Sequence, residues 1–289
     1  MKRMKQLIKE YQEIEIPEHI QTVVKDALHQ KKKSKLKKLY IGVAVAASLF
    51  ITSVNTSSTI AYAFTDIPIL DKVVDIITFR EFKVDEDTYK ADYKVPAVTN
   101  LESKELENSL NEKYLKESEQ LYRSFLADMK ELKKNGGGHL GENSGYEIKT
   151  DTKQLLSIAR YYVNTVGSSS TTMKFDTIDK EKEIFITLPS LFKNENYIEV
   201  ISKNIQEQMR TQMKEDPELT YWVSGTGEKL VFDPFEKIVK DQNFYINNKG
   251  KLVISFDKYE VSPGYMGVVE FIIPTEVIQN ELMSNEYIK

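Results

Sequence analysis

Residues 39–65 read "LYIGVAVAASLFITSVNTSSTIAYAFT" and contain no Asp, Glu, Lys or Arg. The 27 residues exceed the roughly 20 that a helix needs to cross a bilayer. Only the first 16 or so are strongly apolar, and 52–59 are mostly small and polar. The stretch divides the charge of the chain. Residues 1–38 hold 11 Lys/Arg against 5 Asp/Glu, a net of +6. The whole chain carries −4, so residues 66–289 carry −10. A basic tail and an acidic globule thus lie on either side of an uncharged segment. "KKKSKLKK", residues 31–38, abuts its N-terminal side, and the positive-inside rule keeps that side in the cytoplasm. A polybasic run can also bind nucleic acid. Directly against an apolar span it reads instead as a membrane-flanking stop, and no direct nucleic-acid contact is expected.

Ala61-Tyr62-Ala63 is the small-x-small pattern that signal peptidase cuts after, here before Phe64. The 38 residues ahead of the apolar run are too many for an ordinary secretory leader. The segment is either a signal peptide with an overlong front or an anchor with a cut site held in reserve.

The tail carries two helical stripes. Met4, Leu7, Ile8 and Tyr11 form the first, and Ile20, Val23, Val24, Ala27 and Leu28 the second, after Pro17 and Glu18 at a helix start. Thirty-eight residues cannot bury two such stripes alone. They pair weakly with each other, lie on the inner leaflet or clamp another protein, and the acidic Glu10, Glu13, Glu15 and Glu18 favour the protein over the membrane.

Beyond the span, Leu70, Val73, Val74 and Ile77 predict an amphipathic helix over 66–79. Residues 80–98 read as extended with a turn at 85–87. A long helix follows over 102–134, with a stripe through Leu106, Leu110, Tyr114, Leu121, Phe125, Met129 and Leu132. "NGGGHLGENSG" predicts a flexible loop, and 146–188 several strands with a turn at "VGSSSTT". A second helix spans 195–215 and ends before Pro217. Two strands, "KLVISFDKYEV" and "GVVEFIIP", close the chain around a type II turn at Pro263-Gly264. Strand and helix runs do not alternate regularly. The expectation is therefore a single-pass membrane protein with a short helical cytoplasmic tail and one antiparallel α+β extracellular domain. Its parts are the tail 1–38, the span 39–60, a juxtamembrane segment 61–79 and a domain 80–289.

Catalytic signals are sparse. There is no Cys, which excludes disulfides and Cys-ligated zinc. Of three histidines, His19 and His29 fall in the tail, leaving His139 on a Gly-rich loop. That is a poor place to hold a base. No phosphate-binding loop or nucleophile elbow occurs, no spacing singles out a carboxylate pair, and no cofactor is expected. A domain at −10 favours basic ligands. Tyr265 can project from its turn to a partner or pack on its own sheet. "GSSSTT" can offer hydroxyls or simply turn, and Trp222 reads as core.

Five stretches carry a resemblance: "IPEHIQTVVKDAL" (16–28), "IPILDKVVDIITF" (67–79), "ELENSLNEKYLKESEQLY" (105–122), "TVGSSSTTMKFDTID" (165–179) and "GKLVISFDKYEVSPGYMGVVEFIIP" (250–274). Together they resemble the lysozyme-responsive anti-sigma factors of the sigma-V system, the RsiV type, over nearly the whole chain. The last stretch also resembles a module of some extracellular polysaccharide deacetylases, but the deacetylase domain and its Asp and His ligands are absent. The resemblance implies a non-enzymatic regulator. Its tail, through Leu7, Ile8, Tyr11, Ile20, Val23, Val24 and Leu28, would hold an extracytoplasmic-function sigma factor. Its outer domain would bind lysozyme through loops matching Ser168, Ser169 and Ser170 and Pro263, Gly264 and Tyr265. Ligand binding would open the site at Ala61, Ala63 and Phe64 to signal peptidase, and a site-2 protease would then cut within the span. The alternative is a tethered or secreted wall- or lysozyme-binding module with no signalling role.

Overall fold

The computed structural model describes residues 75–226 and 232–289. The tail, the apolar span and the cut site expected above lie outside the described residues. Among the described residues, no helix is long and apolar enough to cross a membrane.

A six-stranded sheet is built in chain order from β1 (Asp75–Glu86), β2 (Tyr89–Thr99), β3 (Leu140–Asp151), β4 (Leu155–Val166), β5 (Ser168–Asp179) and β6 (Ile184–Ile186). A helix, α1 (Lys104–Lys134), packs on it. A second sheet orders β7 (Phe244–Ile246), β8 (Leu252–Phe256) and β9 (Val269–Ile273), covered by α2 (Asn196–Glu215) and a short α3 (Thr275–Ile278).

Three expectations change. Residues 75–79 are strand, not helix: β1 pairs antiparallel with β2 from Asp75↔Thr99 to Glu86↔Tyr89. Ile77 of the expected helical face therefore sits on a strand, and pairing with β2 overrides the local period. The rest of that predicted helix lies outside the described residues. Secondly, the large sheet is not wholly antiparallel, because β2 and β3 pair in parallel from Tyr89↔Leu140 to Tyr93↔Ser144. A parallel neighbour needs a crossover, and α1 supplies it. Thirdly, the Gly-rich loop is shorter than expected. Gly136 and Gly137 take φ of 101° and 95°, which ends α1, but β3 already starts at Leu140.

The long helix forms where expected. Ser103 caps it, its Oγ accepting the Leu106 N–H at 3.2 Å. Glu105 and Glu107 stand in its first turn, and Lys133 and Lys134 in its last. Its apolar side meets β2 in a cluster of Tyr89, Ala91, Tyr93, Phe125 and Leu140. Past Tyr93, β3 no longer pairs with β2. There Asn111 of α1 acts as a surrogate strand, accepting the Val98 N–H (2.8 Å) and donating to the Val98 carbonyl (2.9 Å). The second helix buries Ile201, Ile205 and Met209 against Ile254, Phe256, Phe271 and Ile273.

Asp179 ends β5 against the chain's last residues. It is buried, accepts from the amides of Glu181 and Lys182 (both 2.8 Å), Tyr287 (2.8 Å) and Gln154 (3.1 Å), and needs all four. Burial pushes its carboxyl up, but the Lys182 amide, Tyr287, Gln154 and the Glu181 amide outweigh it and hold it below its ordinary value. A carboxylate depressed on folding adds stability above its unfolded pKa and loses it as pH falls through the folded one. Asp179→Asn should therefore lower the melting temperature at pH 7. The gap to wild type should close as pH falls below about 4. Melts at both pH values check this, and a gap that widens in acid overturns it.

Candidate ligand-binding face

Ser168, Ser169 and Ser170 do not form the expected turn. They open β5, and the reversal from β4 is made at Gly167 alone, with φ of 82°. Pairing already runs Val166↔Ser168, Thr165↔Ser169 and Asn164↔Ser170. Across the sheet, this end carries Glu86, Tyr89, Leu140 and Thr165, and Asp75 lies at the opposite end of β1. A 12-residue strand is about 40 Å long.

Pro263 and Gly264 do not form a type II turn. Gly264 opens a single 3-10 turn, Gly264–Met266, in which the Met266 N–H reaches the Pro263 carbonyl at 3.0 Å. The positive φ falls at Gly267 instead (70°). What makes Gly264 a glycine is close approach: a Cβ there would stand 2.2 Å from Cε1 of Tyr259. Tyr265 projects outward, 68% exposed. Its hydroxyl lies 2.8 Å from Thr220 Oγ1 and 3.0 Å from the Glu218 carbonyl.

The two loops come from different sheets and meet through the turn after β8. The strand expected over "KLVISFDKYEV" stops at Phe256, because Tyr259 takes φ of 73° and the chain turns. That turn caps the edge of β5. Asp257 Oδ1 accepts the Met173 N–H (2.7 Å), and the Lys258 N–H reaches the Thr171 carbonyl (3.1 Å). Asn243 donates to the Met173 carbonyl (2.8 Å), and Phe175 stacks on Tyr245 at 5.5 Å. Lys258 and Tyr259 gave no signal in sequence. A left-handed backbone is announced by Gly or Asn, not by Tyr.

The face is acidic. Burial pushes the Asp257 carboxyl up, partly offset by the Met173 amide. Burial also raises Glu260, with the Asp257 charge adding and the Asp257 amide and Gln242 opposing. The half-buried Asp257 and the exposed Glu260 put two carboxylates on one turn, which favours a cationic partner.

A cleft of about 270 Å³ between α1 and the sheet is lined by Tyr114, Glu117, Arg160 and Lys174 among others. Its carboxylate is engaged, with Arg160 Nη1 at 2.7 Å and Lys174 at 3.1 Å from Glu117. Among the described residues, no group of three or more His, Asp or Glu could hold a metal ion. His139 is exposed at the end of the Gly turn. Trp222, expected in the core, is only half-buried and packs on Phe232 at 4.4 Å. Ala61, Ala63 and Phe64, and the tail residues Leu7, Ile8, Tyr11, Ile20, Val23, Val24 and Leu28, lie outside the described residues.

Comparisons with known proteins extend the picture. A family profile described as a protein of unknown function (DUF3298) matches residues 189–276. A crystal structure of a member of that family from Bacteroides fragilis NCTC 9343 is similar at TM-score 0.51 and 18% identity, covering 74% of this chain and 95% of that one. Another, from Pseudomonas aeruginosa PAO1, gives TM-score 0.51 at 10% identity, covering 76% and 99%. These likenesses concern the fold alone. The anti-sigma-V factor RsiV of Bacillus subtilis strain 168 is 48% identical over 290 residues, covering 100% of this chain and 99% of that one. With this identity sustained along both chains, the protein belongs to the RsiV family of anti-sigma-V factors.

Proposed function

We propose that this chain is a membrane anti-sigma factor whose outer domain is a lysozyme receptor. The observation that carries it is the 48% identity along the full length to an anti-sigma-V factor. The protein is a regulator, not an enzyme. Residues 1–38 hold an extracytoplasmic-function sigma factor, residues 39–60 cross the membrane with the N-terminus inside, and the domain that includes β1 binds lysozyme outside. Three features of the chain support the division: the +6 tail, the uncharged 39–65 and the −10 remainder, whose sign suits a strongly basic ligand. The pairing of the 168–170 and 263–265 segments through one acidic turn supports their use as a single face.

Lysozyme shifts the protein between a shielded and an open state and can do so only by binding the open state better. Signal peptidase then cuts after Ala63, a site-2 protease cuts within the span, and the sigma factor is released.

The test is a membrane-fractionation blot with a tag on the outer domain. Without lysozyme the full-length form stays in the membrane, and with lysozyme a shorter form accumulates within minutes. Ala63→Trp should block the induced cut, since the small-residue site no longer fits. Release at the same rate with and without lysozyme would sink the receptor reading. Deletion of residues 2–30 with no change in sigma-dependent transcription would leave only a binding module.

A further inference from the structure

We propose that Lys258 and Tyr259 are positioning residues that fix the spacing of the two ligand loops and turn the Ser169 hydroxyl outward as a donor. The inference rests on the reading of residues 168–170 and 263–265 as the lysozyme-facing segments.

Lys258 Nζ lies 2.9 Å from Ser169 Oγ. An ammonium only donates, so Ser169 Oγ accepts, and its own hydrogen points to another acceptor. The half-buried Ser169 thereby presents a donor at the mouth of the face, suited to a carboxylate or carbonyl of the partner. The same Nζ sits 5.2 Å from the centroid of Tyr259, a cation–π contact. The Tyr259 ring in turn fills the space where a Gly264 side chain would stand, beside the exposed Tyr265. Ser169, Lys258, Tyr259, Gly264 and Tyr265 form one continuous chain of contacts between two sheets. A lysine in a face built for a cationic partner is otherwise a repulsive element. Here its ammonium is engaged within the chain, over the Tyr259 ring and against Ser169 Oγ. Its function is that of a strut.

The full-length protein in detergent is titrated with purified lysozyme. Lys258→Met should weaken binding about tenfold, the size of one charge-assisted hydrogen bond, and Lys258→Arg should stay within about threefold of wild type. If Lys258 acts through Ser169, then Lys258→Met combined with Ser169→Ala should bind no more weakly than the weaker single variant. Gly264→Ala, whose backbone has no positive φ to forbid it, should evict the Tyr259 ring and weaken binding about tenfold. In a Tyr259→Asn background the same change should add nothing, because the obstacle is gone. Melting temperatures should stay near wild type throughout. Wild type that fails to bind lysozyme overturns the receptor reading itself. Wild type that binds, with Lys258→Met within about twofold of it, overturns the strut alone. Fully additive losses that track a falling melting temperature overturn it as well, since they report only general support of the fold.

Discussion

Arg160→Ala should destabilise the protein by about 3–5 kcal/mol, the cost of leaving buried charges unpaired. Arg160 lies at the centre of a network that joins α1 to β4 and β5. Its Nη1 meets Glu117 at 2.7 Å, its Nη2 meets Asp176 at 3.1 Å, and its guanidinium lies 4.5 Å from the Tyr114 ring centroid. Lys113 reaches Asp176 at 2.6 Å. The Arg160 side chain is only 11% exposed and that of Asp176 7%, so solvent cannot replace a missing partner cheaply. Burial alone would raise Glu117. Arg160 and then Lys174 bring it below its ordinary value, so losing Arg160 returns the desolvation cost. At 2–4 °C per kcal/mol for a domain of this size, melting should fall by roughly 10 °C. Adding Glu117→Gln and Asp176→Asn should recover more than half of it, because neutral groups tolerate burial better. A loss below about 1 kcal/mol would show the network to be surface-like.

Phe256→Ala should cost about 3–5 kcal/mol and damage ligand binding as well. Phe256 is 1% exposed and meets Phe235 and Phe271 edge-on, at 5.3 and 5.9 Å. It is also the last residue of β8, directly before the Asp257–Lys258 turn that links the two proposed ligand segments. The cavity it leaves lies beneath the face, so lysozyme affinity should fall about tenfold. Phe125→Ala is the control. Phe125 is fully buried in the other cluster, between α1 and β2, and its loss should cost similar stability. Affinity for lysozyme should then stay within about twofold, because the two clusters are separate cores. Equal losses of affinity in the two variants would mean that the face reports global stability and not local shape.

Long helices and their buried stripes were legible from sequence, since a 3.6-residue period over 20 or 31 residues has no strand alternative. The expected span 102–134 lies within two residues of the observed Lys104–Lys134 at both ends. The failures lie where the signal is not local. The apolar spacing at 66–79 fits a helix, but residues 75–78 pair with 96–99, Phe79 is the bulge that follows, and the segment takes up the strand. The parallel pairing of β2 with β3 has no sequence pattern of its own, because it arises from where α1 docks. Gly167 alone makes a reversal for which a seven-residue polar turn was expected.

By itself the sequence determined the charge partition of this chain: a basic first 38 residues, an uncharged stretch over 39–65 with a small-x-small pattern, and an acidic remainder. Charge and hydropathy act residue by residue, so they can be read without coordinates. It also supplied the stretches that tie the chain to its family. Only the tertiary structure shows that Ser169 and Gly264, nearly a hundred residues apart, are linked through Lys258 and Tyr259. Those contacts depend on how one sheet's turn meets another sheet's edge, a relation between distant segments that no local pattern encodes.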